Sequence, residues 1–268
     1  MKNPIYLSTG CFTGRINGRD PHLLSRYFEK IDSDGFELML YDDFYADLDS
    51  IVKEYVSLGI SIPAVHMNKR IGDLCSTPGN GMLVSALDLA RTDVETALAL
   101  GAKKCIFHPW GIPDSDSHLQ MVLERVAAVI EVGRSYGIEL MPENCVCTHG
   151  TPLDGLSRLL ESCDCRICMD TRAAAFHGQV ESTLKTLLPE RIGHFHVIDY
   201  AGAPGDWDAR KVIPQPGDGN VCWNVFFAEL KKAGYGGSLT MESSYMLADG
   251  VACDVFNKSI RFIRENLK

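Results

Sequence analysis

The chain has 268 residues, 46% of them hydrophobic and 23% charged, with a formal net charge of −9. That is the composition of a folded chain able to bury roughly three quarters of its unfolded surface, as one large α/β domain or two small ones. The acidity argues against nucleic acid as a partner. No apolar run approaches the roughly 20 residues that span a bilayer, so no membrane partner is expected. The first ten residues lack the apolar core of a signal peptide, and a cytoplasmic location is expected. Ten cysteines include no paired Cys-x-x-Cys motifs of a structural zinc site. They are expected to be reduced, several of them as small buried hydrophobes.

Eight short apolar runs alternate with amphipathic stretches. A strand over Ile5–Thr9 precedes a helix over Pro21–Ile31, which carries Leu23, Leu24, Tyr27, Phe28 and Ile31 at helical spacing. Strand Phe36–Leu40 precedes helix Leu48–Leu58. Strand Ile62–Met67 is followed by a long connection, Met67–Gly81, and then helix Leu83–Leu100, which Gly101 stops. Strand Cys105–His108 precedes helix His118–Tyr136, stopped by Gly137. Strands Glu139–Asn144 and Arg166–Asp170 precede helices Leu156–Cys163 and Val180–Leu187. Strand Gly193–Ile198 leads into a second long connection, Asp199–Val221, rich in Gly, Pro and Asp, and then into helix Trp223–Ala233. Strand Ser238–Glu242 and helix Cys253–Asn266 end the chain. Eight alternating units in under 270 residues predict a single (β/α)8 TIM barrel over residues 1–268. A doubly wound open sheet is the competitor, but Thr9–Gly14 does not fit G-x-G-x-x-G and no phosphate-binding G-x-x-x-x-G-K-[ST] occurs. Both long connections leave strand C-termini and are expected over the barrel mouth.

Four of these strands end in groups able to bind a metal: Glu143, Asp170, His196 (with His194 two residues before it) and Glu242. Side chains alternate along a strand. A carboxylate turned toward the helix layer would be buried at a cost of several kcal/mol, whereas one turned into the mouth around a cation has that cost offset. Each residue alone reads as readily as a cap or a packed side chain. Converging on one rim, they read as a site for one hard or borderline divalent cation. His66 and His108 end the third and fourth strands and are expected to contact substrate, the alternative being a second metal. Glu37 on the second strand is a weaker candidate for the mouth. Phe12, Trp110 and Trp207 read either as pocket walls or as loop packing.

The segments Gly35–Leu38, Pro142–Asn144, Met169–Thr171, His194–Asp199, Pro216–Gly219 and Gly234–Gly237 leading to Met241-Glu242 resemble the sugar phosphate isomerase/epimerase superfamily, the xylose isomerase-like TIM barrels. The resemblance spans nearly the whole chain. It implies one Mn, Co, Zn or Mg ion held by Glu143, Asp170, His196 and Glu242. It further implies a metal-dependent isomerase or epimerase acting on a sugar, keto-sugar or related polyol through an enediolate, with Glu143 and Glu242 as the acid/base pair. The partner is then a small sugar, and a dimer or tetramer is a family-level expectation. Many members read Asp-Thr-Gly-His after the sixth strand, where this chain has Asp170-Thr171-Arg172-Ala173. The missing histidine, and the absence of Asp-x-His in Asp206–Arg210, argue against an endonuclease IV-like phosphodiesterase with its metal cluster. Arg172 is instead a candidate for a substrate carboxylate or phosphate, or else a loop salt bridge. His66, His108, Arg172, Glu37 and Trp110 are thus the expected substrate contacts. The rival readings are an inosose or dehydroshikimate type dehydratase on the same scaffold, and a sugar-binding barrel without turnover. No lysine ends a predicted strand, which argues against a Schiff-base aldolase.

Overall fold

Eight parallel strands form the barrel: β1 (Ile5–Ser8), β2 (Phe36–Met39), β3 (Ala64–His66), β4 (Lys104–Phe107), β5 (Glu139–Pro142), β6 (Ile167–Asp170), β7 (Ile192–Val197) and β8 (Ser238–Met241). The computed structural model describes residues 3–111 and 116–268. Continuous ladders run in the order β5-β4-β3-β2-β1-β8-β7-β6. The last seam, between β5 and β6, is joined by a parallel bridge between Glu143, just beyond the end of β5, and Cys168 within β6. There Asn144 N–H donates to the Cys168 carbonyl at 3.2 Å. The Asn144 side chain continues the seam as a substitute for backbone: its Nδ2 donates to the Asp170 carbonyl at 3.0 Å and its Oδ1 accepts from Asp170 N–H.

The helices are α1 (His22–Tyr27), α2 (Leu48–Ser57), α3 (Arg70–Ser76), α4 (Asn80–Ala99), α5 (Leu119–Tyr136), α6 (Pro152–Ser162), α7 (Thr171–Phe176), α8 (Val180–Leu187), α9 (Trp223–Lys232) and α10 (Cys253–Asn266). Gly137 stops α5 in the left-handed conformation (φ 70°) that glycine adopts without a Cβ penalty. Alternation along the strands sorts side chains into two apolar groups. Outward residues such as Leu7, Leu38, Val65, Phe107, Leu140, Phe195 and Leu239 pack in the large core under the helices. Inward, Tyr6, Ala64, Ile106, Met141 and Cys168 form a small second core inside the barrel. Inward positions also carry polar groups linked across the interior. Lys104 Nζ donates to Ser238 Oγ at 2.7 Å, and that hydroxyl lies 2.7 Å from His194 Nδ1.

Candidate active site at the barrel mouth

The C-terminal ends of β5 to β8 deliver Glu143, Asp170, His196 and Glu242 to one point, where a donor atom from each lies within 4.8 Å of the other three. His196, fully buried, is the pivot. Its Nε2 lies 2.9 Å from Glu37 Oε1, so this nitrogen carries the proton and donates. Its Nδ1 faces the carboxylates, 3.0 Å from Glu242 Oε2 and 3.4 Å from Glu143 Oε1, yet makes no hydrogen bond. A buried imidazole nitrogen without a hydrogen bond, ringed by three carboxylates, suits a divalent cation better than a proton. The donor set of three oxygens and one nitrogen fits a hard or borderline ion.

The electrostatics follow from crowding these groups out of water. Burial opposes ionisation of Glu143, but His196 and His108 hold its carboxyl well below the usual carboxylate range. Glu242 is lowered against burial, chiefly by His196. Asp170 is pushed up to about 7 by burial and then by the negative charge of Glu143. Burial works against charge on His196, but Cys168 and the carboxylates of Glu242, Glu37 and Glu143 raise it well above the ordinary imidazole value. Packing several unlike demands on one histidine and three carboxylates is the pattern of a functional site rather than of a structural core.

The sequence candidates separate into two layers. Glu143, Asp170 and Glu242 line a cavity of about 250 Å³ together with His108, Arg172 and Lys69. His66 and Glu37 lie behind it. His66 Nε2 and His108 Nε2 each approach Glu143 Oε2 at 3.3 Å, and His66 Nδ1 donates to the Met67 carbonyl at 2.8 Å. Only His108 is open to the cavity, and burial pushes its pKa down to about 4, so it is neutral at ordinary pH. Glu37 is fully buried beneath His196; its Oε2 accepts from Thr240 Oγ1 at 2.7 Å and lies 3.0 Å from His194 Nε2. Substrate contact was expected of Glu37 and His66; the structure gives both of them to the groups behind the cavity wall instead. Trp110 likewise does not line the cavity. Its indole is fully buried and donates to the Cys145 and Val146 carbonyls at 3.3 and 3.1 Å, tying down the chain just after Glu143. Phe12 is buried against Phe256, and Trp207 is half exposed over Phe176. Neither forms part of the cavity.

The pattern of the xylose isomerase-like TIM barrel family matches residues 26–266. The chain belongs to this family. Its fold is similar to that of a xylose isomerase domain protein from Alicyclobacillus acidocaldarius (TM-score 0.72, 16% identity, covering 100% of this chain and 98% of that one). It is also similar to a D-tagatose 3-epimerase-like protein (0.73, 17%, 98% and 97%) and to an L-ribulose 3-epimerase (0.73, 14%, 99% and 94%).

Several residues of this xylose isomerase-like barrel were not singled out from sequence. Ser8 at the end of β1 donates to Glu242 Oε1 at 3.3 Å. Asn144 sits in a segment that carried the resemblance, but its role in closing the seam beside Asp170 becomes visible only in three dimensions. Asp199, fully buried, organises the long connection after β7: its carboxylate accepts from the N–H groups of Gly217, Gly219 and Val221 and from Trp223 Nε1 at 2.7–3.1 Å. That explains the Pro216–Gly219 segment as a turn wrapped around one carboxylate. The same connection brings Arg210 and Ile213 to the cavity, and the connection after β3 brings Lys69. All ten cysteines are unpaired, and eight are buried.

Proposed function

We propose that this protein is a metal-dependent isomerase or epimerase of a small sugar, keto-sugar or related polyol. The observation that carries the reading is the meeting of two ionised glutamates, from β5 and β8, with Asp170 on the wall of one cavity, and a donor atom of buried His196 within 4.8 Å of theirs. The names of the structural neighbours, a D-tagatose 3-epimerase-like protein and an L-ribulose 3-epimerase, support the same chemistry. Glu143, Asp170, His196 and Glu242 would hold one Mn, Co, Zn or Mg ion. When bound, such an ion supplies Lewis-acid polarisation of a substrate carbonyl.

The rest falls to the chain's own side chains. Isomerising or epimerising a ketose removes a proton beside a carbonyl and returns it elsewhere, through an enediolate. Glu143 and Glu242 are the two bases at hand, both with pKa values below the ordinary carboxylate value, so both are ionised and able to accept a proton. They are held differently. His108 Nε2 lies 3.3 Å from Glu143 Oε2, while Ser8 donates to Glu242 Oε1. One ionised carboxylate takes the proton, and the other returns one after it has itself taken up a proton from solvent; each is fixed in place by neighbours that do not themselves react. Neutral His108, which lines the cavity, is free to hydrogen-bond a sugar hydroxyl.

The test is proton exchange from ketoses into deuterated water by the metal-loaded protein. Glu143→Gln and Glu242→Gln are each expected to lower exchange about 10²–10⁴-fold, the usual contribution of a positioned acid or base. Full exchange in both variants would show the assignment to be wrong. Loss of water from the substrate, rather than exchange with retention of every hydroxyl, would move the protein to the dehydratases of the same scaffold.

A further inference from the structure

Three cationic side chains, Lys69, Arg172 and Arg210, line the same cavity as the three carboxylates. Their surroundings set the two arginines apart from most of the others. In a chain of net charge −9 most guanidiniums have a carboxylate at hand: Arg19 pairs with Asp43, Arg26 with Asp20, Arg166 with Glu139 and Arg264 with Asp32. Among the described residues, Arg172 and Arg210 pair with none. Arg172 Nη2 donates to the carbonyls of Arg210 and Val212. Arg210 rests its guanidinium over Phe176 and Trp207, 5.1 and 5.9 Å from the ring centroids. Arg172 Nε and Arg210 Nη1 are closed off from solvent and hydrogen-bond to nothing. Leaving buried donors of charged groups unpaired is costly. These two atoms are sealed in, as is Arg264 Nε away from the cavity; what sets Arg172 and Arg210 apart is that both line the cavity with no carboxylate among the described residues paired to them, which leaves a place for an acceptor that is not part of the chain.

Charge gives the sign of that acceptor. On the reading above, a divalent cation cancels two of the three carboxylate charges. One negative charge then faces three positive side chains, and with the buried Glu37 carboxylate beneath His196 also counted the loaded site is one charge positive. A neutral ketose would leave that excess uncompensated in a largely desolvated place. We infer, resting on the proposed isomerase or epimerase reading, that the substrate carries a terminal oxyanion, a carboxylate or a phosphate. Arg172 and Arg210 grip this end from the β6 and β7 side, with Lys69 at the rim, while the reacting carbons face Glu143 and Glu242. Guanidinium forks suit either oxyanion. The volume of about 250 Å³ lies below the roughly 300–1,000 Å³ of typical drug-sized ligand sites, so the substrate is a single small acid sugar and not an oligosaccharide.

Two measurements on the metal-loaded protein test this. The first is calorimetric titration with inorganic phosphate and, separately, with acetate. Arg172→Gln and Arg210→Gln are each expected to weaken the better-bound anion about tenfold, Arg172→Lys to recover part of the loss, and exposed Lys69→Gln, which leaves the packing intact, to weaken it about threefold. An affinity unchanged in all four variants means that the anion sits on the metal alone, and overturns the inference. The second measurement compares proton exchange on a neutral ketose with exchange on the same ketose bearing a terminal phosphate or a terminal carboxylate. The expected result is a kcat/KM at least tenfold higher for one of the charged forms, lost in Arg172→Gln through KM more than kcat; which form wins separates phosphate from carboxylate. Equal kcat/KM on all three overturns the inference and leaves the acid–base reading standing. Arginine-dependent anion binding without exchange on any ketose upholds the anion site and rejects that reading instead.

Discussion

Glu37→Gln tests how the buried layer behind the cavity supports the site. Glu37 is fully buried, and its two oxygens receive His196 Nε2 at 2.9 Å, His194 Nε2 at 3.0 Å and Thr240 Oγ1 at 2.7 Å. The bond to His196 fixes the tautomer that leaves Nδ1 facing Glu143 and Glu242, and the negative charge makes that imidazole a better donor to a cation. A carboxylate behind a metal-binding histidine is typically worth 10–100-fold in metal affinity, or roughly 1.4–2.7 kcal/mol. Glutamine keeps the shape and an acceptor oxygen but gives up the charge. The expected outcome is therefore a Kd for Mn raised 10–100-fold, with apo-protein stability changed by less than about 2 kcal/mol, because removing a buried charge also removes its desolvation penalty. Glu37→Ala should behave differently. It strands three buried donors and opens a cavity, and should cost several kcal/mol at about 1–3 kcal/mol per unpaired group. The assays are calorimetric Mn titration and urea denaturation of the apo form. A Glu37→Gln protein that folds and binds Mn within twofold of wild type would refute both the orienting role of Glu37 and the place of His196 among the ligands.

Asn144→Ala leaves the N–H and carbonyl of Asp170 without their side-chain partner, and is expected to cost about 2–5 kcal/mol in urea denaturation; an unchanged midpoint would show that the β5–β6 seam does not need it. Trp110→Phe should lower stability by about 1–2 kcal/mol through two unpaired carbonyls while leaving KM alone, and a raised KM with unchanged stability would return Trp110 to the cavity wall. Asp93 is buried, accepting from Asn68 N–H and Tyr45 Oη, and burial raises its pKa from 3.8 to about 7. The folded state thus holds this proton more tightly than the unfolded chain, so its contribution to stability is full below pH 4 and is lost as pH rises toward 7. By linkage, Asp93→Asn should gain on wild type across that window by on the order of 4 kcal/mol, and a pH-independent difference in denaturation midpoints would contradict the shifted pKa.

The barrel was legible in the sequence because strands covered on both faces must be apolar throughout, and eight such runs punctuated by amphipathic stretches leave little choice of topology. The edges moved by one or two residues for a reason that bears on the site. Glu143, Glu242 and His108 lie just beyond the last residues of β5, β8 and β4, where the ladder has ended and side chains turn to the mouth. Helices α3 and α7 went unread. The first hides Ile71, Leu74 and Cys75 in a short polar stretch, and the second begins on Asp170, whose carboxylate caps it by accepting from Ala173 N–H. A residue read as a metal ligand was also a helix start, and one sequence position gave two signals of which only one was taken.

What stayed hidden was set by contacts between distant parts of the chain. Glu37 meets His194, His196 and Thr240 across 157 to 203 residues, and nothing local to Gly-Phe-Glu-Leu says that its side chain will pass beneath the rim and not reach it. The arginines show the same limit from the other side. Arg172 could be picked out because it departs from a family pattern, but Arg210 lies in a loop of Gly, Pro and Asp with no periodicity to place it. It reaches the cavity because buried Asp199 gathers that loop onto its carboxylate. Asp199→Ala should therefore do more than loosen a turn: five donors, Tyr200 N–H among them, lose their acceptor, the loop should lose its hold on Arg210, and anion affinity should fall about as far as in Arg210→Gln although residue 199 itself does not line the cavity. Wild-type anion affinity in a folded Asp199→Ala protein would mean that Arg210 is placed by its stacking on Phe176 and Trp207 instead.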